Sequence, residues 1–170
     1  MLSGWSNFFA MTGSAGATLV GLLFVAVTLS TGLPTSRTRD IARASMTPAL
    51  YSFSGVLLQS MVALVPWQSD WPSGVIFVVM GIGGVIYRIW AIRLRSTLHL
   101  RAISGPIDWI FHNMVPLVAS VSLTFGGAGL FAGAAFGPFA LAGAITLLLV
   151  SGIYRTWGQT LALIGIQEKS

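Results

Sequence analysis

Asp108 and His112 stand four residues apart in "SGPIDWIFHNMVP", which places them on one face of a helix. Pro116 follows after another four residues and offers no N–H to the carbonyl of His112. A carboxylate, an imidazole with Asn113 beside it and a free carbonyl make a candidate site for sensing or passing a proton or cation, since histidine titrates near neutral pH. The same residues also have a purely structural explanation. Asp108 is the third residue of a helix opened by Pro106, where the helix dipole favours a carboxylate. His112 then pairs with it and Pro116 kinks the helix. The structural explanation weighs more, because the pair lies near the end of its apolar block and not at its middle.

Other polar side chains interrupt apolar blocks: Gln59 with Ser60 beside it, and Ser120, Ser122 and Thr124. Gln59, Ser120 and Thr124 are candidates to line a water-filled path. Hydrogen bonding between helices, worth about 0.6 kcal/mol on average in a membrane, is the plainer role. Other chemistries lack their residues. The chain has no cysteine, so it has neither a disulfide framework nor a thiolate metal site. It shows no nucleophile motif, phosphate loop or carboxylate pair within its apolar blocks. Two histidines, His99 and His112, could in principle ligate a haem, but no further signal in the sequence supports one. The expectation is a non-enzymatic protein with no cofactor and no metal.

These residues must be positioned by elements of an unusual composition. Hydrophobic residues make up 55% of the 170 positions and charged residues 8%, against roughly 25% charged in a soluble domain. Mean hydropathy is +0.84. The expected fold class is all-α, a polytopic transmembrane bundle of five helices forming one domain over residues 1–170. Proline marks the boundaries, being favoured at the first position of a helix. Pro48, Pro72, Pro106 and Pro138 head apolar blocks, Pro34 and Pro66 follow their ends, and Pro116 alone lies inside one. The spans read as about 5–30, 48–65, 72–92, 106–130 and 138–157, each near the 20 residues needed to cross a hydrocarbon core.

Charge gives an independent test. With five spans, Arg37, Arg39, Arg43, Arg88, Arg93, Arg95, Arg101, Arg155 and Lys169 all fall on one side, the cytoplasmic side by the positive-inside rule. The other side carries one side-chain charge, Asp70, between Trp67 and Trp71. The N-terminus is expected outside and the C-terminus in the cytoplasm. The first block has no preceding positive charge, unlike a cleaved signal. The net charge of +5 and pI near 10.8 follow from the basic loops, so no nucleic acid is expected as a partner. Anionic lipids at the cytoplasmic face are expected instead. Arg88 and Arg155 read as anchors that snorkel to the headgroups. The segment "RIWAIRLRSTLHLRAIS" reads as lying along the interface, with Trp90 inward and the arginines toward headgroups.

Small residues recur. Ala10, Gly13, Ser14, Ala17, Thr18 and Gly21 share a helical stripe, and small residues let helix backbones approach in lipid, where burial of apolar surface gives no gain. Gly129, Gly133 and Gly137 repeat every four residues, and Gly81 and Gly84 form a shorter seam. Packing within one protomer outweighs self-association as their explanation, and both roles are compatible. Between Gly126 and Gly137 the favoured reading is a long helix to about Ala135 with a sharp turn at Gly137 and Pro138. A re-entrant loop is the alternative.

The opening "NFFAMTGSAGATLVGLLFVAVTLS" resembles the first span of small bacterial inner-membrane proteins of unknown function, over about thirty residues. That resemblance implies a bacterial inner membrane and no particular activity. Five spans and six tryptophans are also similar to the tryptophan-rich sensory proteins, whose aromatic motifs the second half of this chain lacks. The expected function is a homo-oligomer forming a pathway for an ion or small solute. The alternative is a non-catalytic accessory subunit that assembles with a larger membrane complex.

Overall fold

The computed structural model describes residues 1–30, 36–97 and 110–167, and within them the side chains of all but 29–30, 36–48, 91–92, 94–97, 112 and 159–167. The described residues form five α-helices and no strand. These are α1 (Ser6–Ser30), α2 (Ser36–Leu64), α3 (Asp70–Thr97), α4 (Val115–Phe131) and α5 (Gly137–Gln167). A 3-10 turn, Leu2–Trp5, precedes α1, and a π-helical turn, Ile110–Met114, leads into α4. Three helices carry stretches long and apolar enough to cross a membrane: Leu2–Thr28, Asp70–Trp90 and Gly137–Gly158. The apolar parts of α2 and α4, Ala49–Leu64 and Val115–Phe131, are shorter.

Prolines mark these elements unevenly. Pro72 and Pro138 lie in the first turns of α3 and α5, where a missing N–H costs no helical hydrogen bond, and Pro116 lies in the first turn of α4, behind the π turn. Pro116, expected inside its span, stands where the π-helical turn passes without a break into α4. The π turn ahead of it widens the spiral where a proline ring would otherwise meet the preceding carbonyls. Pro48 heads the apolar part of α2 but not the helix, which begins at Ser36.

Side-chain contacts fix the directions. Thr12 and Ser60 hydroxyls hydrogen-bond at 3.1 Å, and Gly16 lies against the backbone of Phe53 and Leu57, so α1 and α2 are antiparallel. Gly74 meets Gly127 while Gly84 meets Ser120, which makes α3 and α4 antiparallel. The Ser122 hydroxyl donates to the Ala140 carbonyl at 2.9 Å, joining α4 to an antiparallel α5. Trp5 packs edge-on against Phe139 with ring centroids 4.7 Å apart, and the Met1 ammonium donates to Asp70 Oδ2 at 2.8 Å. The starts of α1, α3 and α5 are therefore together at one end of an alternating bundle. Across it the packing order is α1, α2, α5, α4, α3, with α2 and α3 meeting only sparingly.

The core joins Phe9, Val56, Phe77, Leu123, Leu141 and Ile145, with a smaller cluster of Leu23, Ala49 and Phe53. Many large apolar side chains point outward instead, among them Met11, Phe24, Val79, Phe125 and Phe139. Thr18 and Thr28 face outward too, and each donates to the carbonyl four residues back in its own helix. A hydroxyl bonded in this way needs no water.

The small-residue seams differ from expectation. The buried face of α1 is Phe9, Thr12, Gly13, Gly16 and Leu23, whereas Ala10, Ser14, Ala17, Thr18 and Gly21 are exposed, and a methyl on Gly21 would meet nothing within 4 Å. The true seam lies about 100° round the helix, one residue along, because Phe9 and Leu23 bring large apolar surface while Gly13 and Gly16 admit α2. Gly129 and Gly137 do meet, across the α4–α5 turn, but Gly133 belongs to no seam. It has φ +69° and ends α4: its N–H donates to the Leu130 carbonyl at 3.1 Å and that of Ala134 to Gly129 at 2.8 Å. This is the Schellman pattern, for which glycine suits the left-handed position. Helix α4 stops at Phe131, four residues before Ala135, and the turn to α5 is short. The strongest seam is α3 on α4, where Gly74, Gly81 and Gly84 face Gly127, Thr124 and Ser120.

Candidate functional site

Where α2 and α3 fail to close on one another, a cavity of about 190 Å³ remains between α2, α3, α4 and α5. Glycine makes the room. On α2, Tyr51, Gly55 and Gln59 recur every four residues along the cavity wall, and on α3 Gly84 and Arg88 do the same. Gly84 brings α3 so near to α4 that an added methyl would stand 2.7 Å from Ser120 Oγ. Arg88 lies one turn beyond, its guanidinium 5.7 Å from the Tyr51 ring centroid. Tyr51 is itself stacked on Tyr87 at 5.1 Å.

Two groups in the wall lack partners among the described residues. Arg88 is 8% exposed and its Nε has no hydrogen-bond acceptor; Gln59 is 5% exposed and its Oε1 has no donor. Burying an ion costs several kcal/mol after relaxation, whereas one cation–π contact returns about 2 kcal/mol when desolvated. The ring alone does not offset the burial. The only carboxylate among the described side chains, Asp70, is bound to the Met1 ammonium and sits 18 residues back along α3, about 27 Å at 1.5 Å per residue. The arrangement is suited to hold a ligand that accepts from Arg88 and donates to Gln59.

The residues singled out in the sequence are distributed as follows. Gln59 and Ser120, from different helices, line this one cavity. Ser120 also donates to the Pro116 carbonyl at 3.0 Å. Thr124 does not line it; its hydroxyl donates to the Ser120 carbonyl at 3.0 Å, and the residue packs against Gly81. Asp108 lies outside the described residues, as does the His112 side chain, although the His112 backbone belongs to the π turn. Asn113 is half-buried in that turn.

Arg88 and Arg155 are buried and do not act as exposed anchors; Arg155 is only 4% exposed. Trp90, expected to face the bilayer, is 60% exposed on the outside of the bundle. Helix α3 runs unbroken to Thr97, so residues 88–97, expected to belong to a separate interfacial segment, continue the helix of the third span. Arg88 then shares the face of Gly81 and Gly84, and Trp90 lies some 200° away. A signal for this is present in the sequence as an internal repeat: "IYRIW" at 86–90 and "IYRTW" at 153–157. Both copies adopt one disposition. Each arginine is buried and each tryptophan is about two-thirds exposed. Each tyrosine stacks on an aromatic ring from an earlier helical element, Tyr87 on Tyr51 of α2 and Tyr154 on Phe111 of the π turn at 4.1 Å. Comparison with protein-family models, with curated proteins and with solved structures finds no match for this chain.

Proposed function

We propose that this chain is a single-domain, five-span protein of a bacterial inner membrane, N-terminus outside and C-terminus cytoplasmic, that forms a pathway for an ion or small solute as a homo-oligomer. The observation that carries the reading is the inversion of polarity: Gln59, Arg88 and Ser120 line an internal cavity while large apolar side chains cover the outside. In water that distribution is unfavourable; in lipid it is the expected one. The alternation of the helices supports five crossings; the apolar stretches of α2 and α4, about 25 Å by helical rise, are a little short of a core of about 30 Å and would cross it untilted in a locally thinned bilayer. It also gathers the basic connections at one end, the basis for the orientation.

Reconstitution into liposomes tests the pathway: flux of a small ion or solute is expected, reduced several-fold by Gln59→Leu, and vesicles that stay sealed across ions and pH would overturn it. The absence of cysteine makes topology direct to measure. A thiol introduced at Ser3 is expected to label from outside the cell and one at Ser170 only after permeabilisation; labelling of both from one side contradicts the five-span reading. A second reading is favoured by the exposed face of α1. Ala10, Ser14, Ala17, Thr18 and Gly21 form a smooth strip with no partner among the described residues, suited to close helix packing in lipid. A second copy or a larger membrane protein would fit there, and the latter makes the chain an accessory subunit. Crosslinking through Ala17→Cys separates them: a homodimer product supports the oligomer, and a monomer that copurifies with another membrane protein supports the subunit.

A further inference from the structure

We infer that the cavity between α2 and α3 binds a singly charged oxyanion that carries its own hydroxyl, either the phosphodiester headgroup of a hydroxylated anionic lipid or free dihydrogen phosphate. The inference rests on the reading of this bundle as membrane-spanning, and it names the chemistry of the cavity's occupant. Three observations lead to it. First, the guanidinium of Arg88 is inside the cavity with an unpartnered Nε and no carboxylate near it among the described residues; its planar fork matches oxyanion geometry in a way a lysine would not. Second, the Gln59 carbonyl on the opposite wall accepts from nothing. Gln59 lies eight residues along α2 from Tyr51, about 12 Å by helical rise, so an oxyanion held by Arg88 beside Tyr51 satisfies the Gln59 carbonyl through an O–H that it carries, directly or by way of a bridging water, a donor that a halide or sulfate lacks. Ser52 and Ser54 also line the cavity. Third, size and access fit. About 190 Å³ holds one such group with a few waters, and the half-exposed Tyr51 and Leu58 put the opening between α2 and α3 on the outer face of the bundle. Arg88 lies about 27 Å along α3 from Asp70 by helical rise. That is near the far edge of a hydrocarbon core of about 30 Å, where lipid phosphates reside.

The test uses the full chain purified in detergent and stripped of lipid. One arm titrates dihexanoyl-phosphatidylglycerol below its critical micelle concentration and follows tryptophan fluorescence, with dihexanoyl-phosphatidylcholine as the comparison. The other uses equilibrium dialysis with radiolabelled phosphate at pH 6, with sulfate as competitor. Saturable binding in the first arm alone identifies a lipid site, in the second alone a free-anion site, and in both the shared chemistry. Saturable binding in neither overturns the inference. Equal affinity for phosphatidylcholine, or full competition by sulfate, also overturns it. Arg88→Met is expected to weaken binding at least tenfold and Gln59→Leu about threefold to tenfold. Because removing Arg88 alters packing, Gly55→Val provides a second variant: a methyl at that position meets only Gln59 Nε2 at 3.8 Å, so the helix pair is kept while the cavity is filled. It is expected to weaken binding tenfold with an unchanged unfolding midpoint, and unchanged binding would refute the site. Asp40→Asn, Asp108→Asn and Glu168→Gln are expected to leave affinity as it is; a rise in any of them would identify that carboxylate as the occupant of the cavity and overturn the inference. Binding without liposome flux leaves this inference standing and removes the pathway; flux of cations or neutral solutes without binding does the reverse.

Discussion

Gly81→Ala is the sharpest perturbation of the fold, because Gly83, two residues away on the same helix, provides its control. A methyl on Gly81 would stand 2.7 Å from the Thr124 backbone nitrogen and 2.9 Å from the Ser120 carbonyl oxygen, and nearer still to Thr124 Oγ1. Non-bonded heavy atoms are at their optimum about 3.5–4.0 Å apart, so α3 and α4 must separate by about 0.8–1.3 Å. Two of these three opposing atoms are backbone and cannot rotate away. Gly74 and Gly127 approach as closely along the same seam, so the separation spreads. Overpacking of this kind costs about 1–3 kcal/mol, of which the better helix propensity of alanine recovers up to about 1 kcal/mol. At Gly83 a methyl meets nothing within 4 Å, and only the propensity gain remains. The two variants should therefore differ by about 2 kcal/mol, roughly thirtyfold in the unfolding equilibrium, with Gly81→Ala on the destabilised side. Unfolding by sodium dodecyl sulfate in mixed micelles, read by tryptophan fluorescence, measures both. Equal shifts, or a stabilised Gly81→Ala, would refute the α3–α4 seam as the closest approach in the bundle.

Three further outcomes follow from local geometry. Gly133→Ala should cost about 1 kcal/mol, purely from the left-handed backbone at φ +69° since no atom lies within 4 Å of the added methyl; an unchanged midpoint counts against the Schellman turn. Trp67→Phe removes the indole N–H that donates to the Val62 carbonyl at 2.9 Å and should cost about 0.5–1.5 kcal/mol in the same titration. Ser60→Ala should cost under about 1 kcal/mol, because Thr12 keeps its bonds to the Phe8 and Phe9 carbonyls; a loss above about 2 kcal/mol would mean the Thr12–Ser60 pair does more than join two helices.

Helix count and class are legible in this chain because apolar length and proline position are local properties. Pro72 and Pro138 lie in first turns as that logic requires, and the logic weakens at Pro48, where polar residues upstream also form helix. Faces are harder. A helix such as α1 carries glycine, alanine, serine and threonine all round, so spacing alone does not choose between the Gly13–Gly16 face and the Ala17–Gly21 face one residue away. What decides is where Phe9 and Leu23 find a neighbour, a tertiary fact. The cavity was half legible: an isolated glutamine in an apolar block identifies Gln59, but the gap opposite depends on Gly55 and Gly84 facing a common space. Arg88 follows from combining two local facts, its register with Gly81 and Gly84 and its repetition at Arg155.

That repetition bears on how a bundle in lipid tolerates buried guanidinium groups. Arg88 and Arg155 each lie 18 residues after the first residue of their helix, Asp70 and Gly137, and α3 and α5 start at the same end. The two motifs are therefore level, about 27 Å from that end. Residues two apart on a helix point about 200° apart, so an arginine turned inward forces its tryptophan outward, as Trp90 and Trp157 show. Tryptophan is held at the membrane interface; on the five-span reading the outward rings thus fix the depth at which the inward cations lie, near the headgroups, where burial of charge costs least. Depth-dependent quenching by brominated lipids, with Trp90 or Trp157 kept and the other tryptophans replaced by phenylalanine, should place both indoles at one depth, about 15 Å from the bilayer centre. Rings found at different depths, or either one near the midplane, would show that the repeated motif does not set the level of the bundle.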